Sequence, residues 1–515
     1  MGQENNKKKK RSGSKTLIII AAEFVIIAVL LIVMSIGRPG KNKNTGTLTP
    51  AGGTGKVAQS PAAQSADAGK NTAQQNADEL LVASTGQVPA GSAEDGSEKS
   101  AAAVAKAREE EEELIKAALK AHEDEVAAVI ATADRQAAMY DYDKAMDTIR
   151  AYEGYEQEES MTKAIASYEE QKAACVVWHD NTQISHVFFH SLIYDTSKSF
   201  GPGSSQPLGY NRYMTTVSEF NKMMESMYEK GFVLVSIHDI AKIEKQADGS
   251  EKFVAQPIYL PEGKEPFVLS QDDVNYYLYM EGDGFAEKLV IGEDGRPTCM
   301  YINDDGSVSY GEYDVLPIID RFVDEHPDFS YRGAKGILAV TGFEGALGYD
   351  TGLSMKKYDG MSEDEKMKLI NAEREEAKKV ADAIKADGWE FASHSYTHTN
   401  MTTNSADKVK YDTRRWKEEV EIILGPTDIY IYPFGADICD WRGYSGDKFD
   451  ILKGAGFDYF CNVDSARAWI QIRDTYFRMG RINLDGERMN KTPEKLTDFF
   501  NVEDVYDHSR PELKL

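Results

Sequence analysis

The chain has no CxxC pair and no HExxH run, and its four cysteines, Cys175, Cys299, Cys439 and Cys461, are scattered over 515 residues. Those absences exclude a disulfide scaffold and the zinc-protease helix, and nothing indicates thiol catalysis. Cys439–Cys461 is kept as one optional bridge. Basic residues are in the minority as well. Lys and Arg number 59 against 85 Asp and Glu, a formal charge of −26 that would repel phosphates and argues against nucleic acid as a partner. Residues 38–100 have almost no large apolar side chain. A segment of Gly, Ala, Ser, Thr, Gln and Asn cannot bury enough surface to offset its ordering entropy, so a flexible linker is expected there.

What is present begins at the N-terminus. Residues 1–15 carry six Lys/Arg against one Glu, and the apolar run TLIIIAAEFVIIAVLLIVMSIG, residues 16–37, follows with Glu23 as its single charge. Its length suits a bilayer-crossing helix, and the basic cluster before it favours a cytoplasmic N-terminus and an exported remainder. No small-x-small cleavage site follows, so an uncleaved anchor is expected, although Arg38, Lys41 and Lys43 soften the charge bias. The chain reads as a single-pass protein of the cell membrane with its C-terminal domain outside.

From residue 101 to 180 the composition turns to Ala, Glu, Lys and Leu, with apolar residues at helical spacing and breaks near Tyr140 and Gly154. The stretch AAMYDYDKAMDTIRAY resembles one tetratricopeptide-type pair, which is too few for a solenoid. The region reads as a helical stalk with coiled-coil character; the alternative is a docking module for a protein partner. Residues 181–500 then alternate short β-rich runs (HVFFHSLIY, FVLVSIHDIA, PFVLSQDD, AKGILAVTG, GWEFASH, TDIYIYPFG) with helices. That alternation implies parallel strands with helical crossovers, and polar residues gathered at strand C-termini are where barrel active sites sit. LVIGEDGRPTCMYINDDGSVSYG, with its DG turns, reads as a hairpin inserted over one rim. Residues 501–515 read as an acidic tail.

Three strand ends carry chemistry. Asp272 and Asp273 are adjacent in VLSQDDVNYY; consecutive strand residues face opposite ways, so two working carboxylates must lie just past the strand, where the chain turns. His394 and His398 stand four apart in HSYTH. Tyr432, Pro433, Phe434 and Gly435 end a third strand in IYIYPFGAD. Two imidazoles and a carboxylate can hold a divalent metal and leave positions for water and substrate.

In this order the three motifs resemble those of the polysaccharide deacetylase family (carbohydrate esterase family four), whose T-F-D-D-G, H-[ST]-x-x-H and R-x-P-[YF] motifs read here as SQDDV, HSYTH and IYPFG. The lead-in HVFFHSLI resembles that of the exopolysaccharide-type branch. The resemblance covers residues 185–490 and implies a distorted (β/α) barrel and a metal-dependent hydrolase. Its substrate would be an N-acetylated surface polysaccharide, either peptidoglycan sugars or exported poly-N-acetylglucosamine. It makes Asp273, His394 and His398 the ligands of a divalent metal (zinc first, with cobalt, nickel or manganese as alternatives), Asp272 the general base and the Phe434 N–H an oxyanion donor.

The departures from the family pattern are specific. The motif arginine is replaced by Ile431, leaving Arg473, Arg478 or Arg481 to orient the base. The glycine after DD is Val274, followed by Tyr276, Tyr277 and Tyr279, of which Tyr276, with Tyr432 and Trp469, is expected to line the substrate. The late L-x-H motif that supplies the acid has no match; only NLDG and RMGRIN lie there, and His190 and His238 are the candidate acids. The missing parts keep open a second reading, a carbohydrate-binding pseudoenzyme. A third, a scaffolding protein built on the helical region, leaves the motif set unexplained.

Overall fold

The computed structural model describes residues 97–353 and 355–513. The basic tail (1–15), the expected anchor (16–37) and nearly all of the linker (38–100) lie outside the described residues, among which no helix is long and apolar enough to cross a membrane.

Three helices open the described chain: α1 (Ser97–Ala138), α2 (Tyr142–Arg150) and α3 (Glu159–Ala174). The chain reverses after α1 at Tyr140, whose φ of 62° is left-handed. Upstream in α1, Val104, Leu114, Ile115 and Leu119 are exposed, whereas Val126, Ala133 and Ala137 are buried. The buried stripe joins Tyr142, Ala145 and Ile149 of α2 and Met161 and Tyr168 of α3 in one cluster that includes barrel-floor residues such as Ile184 and Ile337. Backbone and charge add to it: the Arg332 N–H donates to the Met139 carbonyl at 2.7 Å, and Arg135 pairs with Asp324 at 2.6 Å. The region expected as a stalk is, from Val126 onward, packed on the barrel.

The barrel follows the expected alternation. Its strands and principal helices are β1 (Ser185–Phe189), α4 (Val217–Glu229), β2 (Phe232–Leu234), β3 (Glu265–Gln271), the insertion strands β4 (Lys288–Ile291), β5 (Pro297–Ile302) and β6 (Val308–Gly311), α5 (Val315–Glu325), β7 (Ile337–Val340), α6 (Glu363–Ala386), β8 (Glu390–Ser393), α7 (Ala406–Glu419), β9 (Ile429–Ile431), α8 (Asp447–Gly454), β10 (Tyr459–Val463), β11 (Trp469–Ile472) and β12 (Phe477–Asn483). Seven parallel strands close in the order β7–β8–β9–β10–β12–β1–β3 and back to β7. β2 adds in parallel to the outside of β3, and β11 folds back antiparallel on β12. Closure removes unpaired edges and forces strict alternation. In β3, Phe267 and Leu269 join the outer core under the helices, while Val268 joins the inner cluster. The insertion is a three-stranded antiparallel sheet, and it buries Leu289 and Cys299 in the outer core. All four cysteines are free, so the optional Cys439–Cys461 bridge is not formed.

The C-terminal segment is no loose tail. Thr216 and Glu219 form a capping box that starts α4. Arg510, from the far end of the chain, grips the same Glu219 with its Nε and Nη2, each at 2.6 Å, and both side chains are fully buried. The third Arg510 nitrogen, Nη1, donates to the Asn211 carbonyl at 3.1 Å. Arg510→Ala should destabilise the chain by about 3–5 kcal/mol in denaturant unfolding, because it strands a buried carboxylate. A loss below 1 kcal/mol would mean that the segment is dispensable.

Candidate metal centre and active site

The paired aspartates work because the strand ends between them. The Asp272 N–H still donates to the Phe189 carbonyl at 2.8 Å, continuing the β3–β1 ladder, whereas Asp273 turns left-handed with φ 57°. That kink lets neighbouring carboxylates serve one site. Asn275 holds the turn against the end of β7, donating to the Thr341 carbonyl at 2.9 Å and accepting from the Thr341 N–H at 3.0 Å.

His394 extends β8, and its Nδ1 lies 2.9 Å from the Ile431 carbonyl, a bond that only an Nδ1–H can make. That fixes the tautomer and frees Nε2 as a ligand. The chain then bends back through left-handed Ser395 (φ 61°) to left-handed His398 (φ 50°). Buried Asp412 of α7 staples this bend. It accepts from the N–H groups of Tyr396 and Thr397 at 2.6 and 2.9 Å and from the hydroxyls of Thr397 and Thr399 at 2.7 and 2.9 Å. The result brings Asp273, His394 and His398 together with one ligand atom from each within 4.8 Å of the others. The His398 Nε2 is 3.9 Å from Asp273 Oδ2. Burial holds the His398 imidazole down at about 4, partly opposed by Asp273, so it is neutral near pH 7 and available to a cation. The donor set fits a divalent metal.

Of the three arginines considered as replacements, Arg481 reaches Asp272. Its two terminal nitrogens donate to the two carboxylate oxygens at 2.6 and 2.9 Å, and the guanidinium is fully buried. Burial alone would raise the Asp272 pKa, but Arg481, helped by His394, holds it well below the usual carboxylate range. Arg478, three residues earlier, is instead paired with Asp437 at 2.6 Å.

The remaining expected site residues divide sharply. His190 follows β1 directly and lies close enough to act electrostatically on Asp272, His398 and Asp485. Phe434 is left-handed (φ 59°), with its ring 68% exposed and 4.3 Å from that of His398. His238 is at the wrong end of the barrel. It contacts Glu390 and Asp428, which precede or open β8 and β9 at the floor, so it cannot serve the mouth. Tyr276 is buried in the outer core with its hydroxyl on Asp314 at 2.8 Å, and is no substrate wall. Tyr432 is fully buried on the helix-facing side of β9, packed between Tyr430 and Phe460. Both tyrosines were expected to face substrate, but turn geometry and strand parity aim them into the core. Trp469 remains at the rim, its indole N–H donating to Asp464 at 2.9 Å.

Two features escaped the sequence. Tyr277, not Tyr276, reaches the centre: its hydroxyl donates to Asp273 Oδ1 at 2.6 Å and accepts from the Thr341 hydroxyl at 3.0 Å. The late histidine is also excluded sterically. In NLDG its place falls at Gly486, where a Cβ would stand 2.1 Å from the Asn211 carbonyl oxygen.

Tyr277→Phe should weaken divalent-metal binding by about 10–100-fold in competition with a chromogenic chelator, the usual cost of losing an outer hydrogen bond to a ligand; unchanged affinity would remove the phenol from the centre. At the floor, burial opposes the charge on His238, but Asp428 and Glu390 raise its pKa to about 10. A folded pKa above the unfolded 6.5 gives stabilisation that is complete below pH 6.5 and fades as pH rises through about 10. The melting-temperature gap between wild type and His238→Gln should therefore narrow between those values. A pH-independent gap would refute a charged clamp.

Residues 364–460 match a family model described as polysaccharide deacetylase. No curated protein matches the chain. Three solved structures are similar at low identity. The Streptococcus pyogenes deacetylase PplD in complex with acetate is 11% identical, with a TM-score of 0.32, over 62% of this chain and 98% of that one. The BpsB deacetylase domain from Bordetella bronchiseptica is 13% identical, with a TM-score of 0.30, over 59% and 98%. A putative polysaccharide deacetylase from Mycobacterium smegmatis is 17% identical, with a TM-score of 0.20, over 33% and 45%. The family match spans β8 and β9, which carry His394 and the turn to Phe434, so that part of the chain is similar to the polysaccharide deacetylase family.

Proposed function

We propose that the chain is a metal-dependent deacetylase that removes acetyl groups from an N-acetylated cell-surface polysaccharide, held at the membrane by residues 16–37 with the barrel outside. The observation that carries this reading is the convergence of Asp273, His394 and His398 within 4.8 Å, beside a buried, arginine-held Asp272.

Asp273, His394 and His398 would hold the metal. A divalent ion there would lower the pKa of water and polarise the acetyl carbonyl. Asp272 takes the proton of the attacking water. Arg481 keeps it ionised across the working pH range, at some cost in basicity, and aims it. The Phe434 N–H, at a left-handed strand end, donates to the oxyanion as charge develops. With Gly486 closed to a side chain, His190 is the remaining histidine at the mouth placed to protonate the departing amine, and Asp485 lies within its electrostatic reach. Acetate and a free amino sugar result. Peptidoglycan and exported poly-N-acetylglucosamine both offer the required amide.

The test is acetate release from chito-oligosaccharide and from peptidoglycan by the metal-loaded chain. Asp272→Asn should keep its metal and lose about 10²–10⁴-fold in rate, and His190→Asn should fall in the same range. His394→Ala should lose metal and rate together. Bound metal without acetate from either polymer would replace the enzyme with a glycan-binding protein that keeps the barrel.

A further inference from the structure

After the turn Asp272–Tyr277 the chain leaves the barrel to form the insertion, and it returns at Asp314, where α5 begins. Asp314 is 1% exposed, and its carboxylate accepts four hydrogen bonds, two on each oxygen. Oδ1 takes the Val315 N–H at 2.8 Å, which caps α5, and the Leu192 N–H at 2.9 Å. Oδ2 takes the Gln271 side-chain amide and the Tyr276 hydroxyl, each at 2.8 Å. A helix cap needs only the first of these bonds. The other three come from segments that flank the reaction centre. Leu192 is two residues past His190, Gln271 directly precedes Asp272, and Tyr276 is three residues past Asp273.

The turn that Asp314 holds is strained. Asp273 and Tyr276 are both left-handed, with φ of 57° and 53°, although neither is glycine. Such conformations persist only where their surroundings over-determine them. Asn275 ties the turn to the end of β7, and the Tyr276–Asp314 bond closes it from the other side, across 38 residues of sequence. The insertion grips the same turn a second time. The Leu289 N–H of β4 donates to the Leu347 carbonyl at 3.1 Å, and the Leu347 N–H donates to the Val274 carbonyl at 3.1 Å. Tyr277, next in sequence to Tyr276, carries the hydroxyl that meets Asp273.

We propose that Asp314 is a positioning residue for the metal centre; the proposal rests on the metal-dependent deacetylase reading above. It locks the ends of β1 and β3 to the inserted sheet. The insertion contains none of Asp273, His394 and His398, yet through this lock it sets where Asp273 and Tyr277 stand. Asp314→Asn separates this role from capping. It keeps one acceptor oxygen for Val315 and Leu192, and it turns an N–H₂ group against the donors of Gln271 and Tyr276.

The test uses the full chain loaded with Co²⁺, whose visible absorption reports ligand geometry, with Zn²⁺ affinity read by competition with a chromogenic chelator. Asp314→Asn should change the cobalt spectrum and weaken Zn²⁺ binding by about tenfold. Tyr276→Phe removes one bond and leaves the cap alone, and it should act in the same direction by about threefold. Ser362→Ala, which removes the cap of α6 instead, should lower the melting temperature and leave both metal readouts as in wild type. Wild-type spectrum and affinity in Asp314→Asn, with the melting temperature lowered, would overturn the proposal and leave Asp314 a helix cap. Should Asp314→Asn not fold, wild-type readouts in Tyr276→Phe would overturn it equally. Neither readout involves turnover. A perturbed centre in Asp314→Asn, where wild type releases no acetate, would support the positioning role and sink the reaction; unperturbed readouts, where wild type releases acetate, would do the reverse.

Discussion

The arrangement depends on one buried ion pair, the fork of Arg481 on Asp272. A carboxylate inside a closed barrel is tolerable as an anion only if a cation meets it with good geometry. Arg481 supplies that from β12, two strands away from β3 round the barrel. It also donates to the Ser270 hydroxyl at 3.1 Å, and His186 contacts that hydroxyl at 2.8 Å. Burial, then the charge of Arg481, pushes the His186 pKa well below its ordinary value, so the imidazole adds no second charge to the barrel interior. One anion, one cation and a neutral ring make a balanced polar layer beneath the mouth. The same guanidinium also donates from Nε to the Asn462 carbonyl at 3.3 Å.

Around that layer the chain accepts backbone conformations that side chains ordinarily avoid. Asp273, Ser395, His398 and Phe434 are all left-handed. Such residues cost on the order of 1–3 kcal/mol each and persist where their surroundings over-determine them. Asn275 and Asp412 provide that constraint, each with several hydrogen bonds into the turn it holds. Strain collected at three strand ends, two of them secured by a buried side chain, is how residues from separate strands come to face one point.

The two ends of the barrel use similar residues for different purposes. At the mouth, histidines and aspartates stand about 4 Å apart, a spacing that leaves room for a cation between them. At the floor, His238 is in direct hydrogen-bond contact with Glu390 and Asp428, so it is itself the cation. The helical region covers this floor and leaves the mouth clear. The C-terminal segment, through Arg510, fixes the start of α4.

The sequence by itself determined the alternation of strands and crossovers and the identity of the three chemical strand ends. Both follow from local rules: hydrophobic period, turn chemistry and donor type at short spacing. It narrowed the partner of Asp272 to three arginines but could not choose, because Ile431 and Arg481 become interchangeable only once the barrel closes and both inward positions share one space. It ranked Tyr276 above Tyr277 and placed Tyr432 at the substrate, since which face a residue presents depends on where the strand ends and how the turn twists. His238 looked like a candidate acid because sequence distance carries no information about which end of a barrel a loop occupies. Tertiary structure alone decided these points, and it alone showed that Gly486 has no room for a histidine, because the obstacle is a carbonyl 275 residues earlier in the chain, at Asn211.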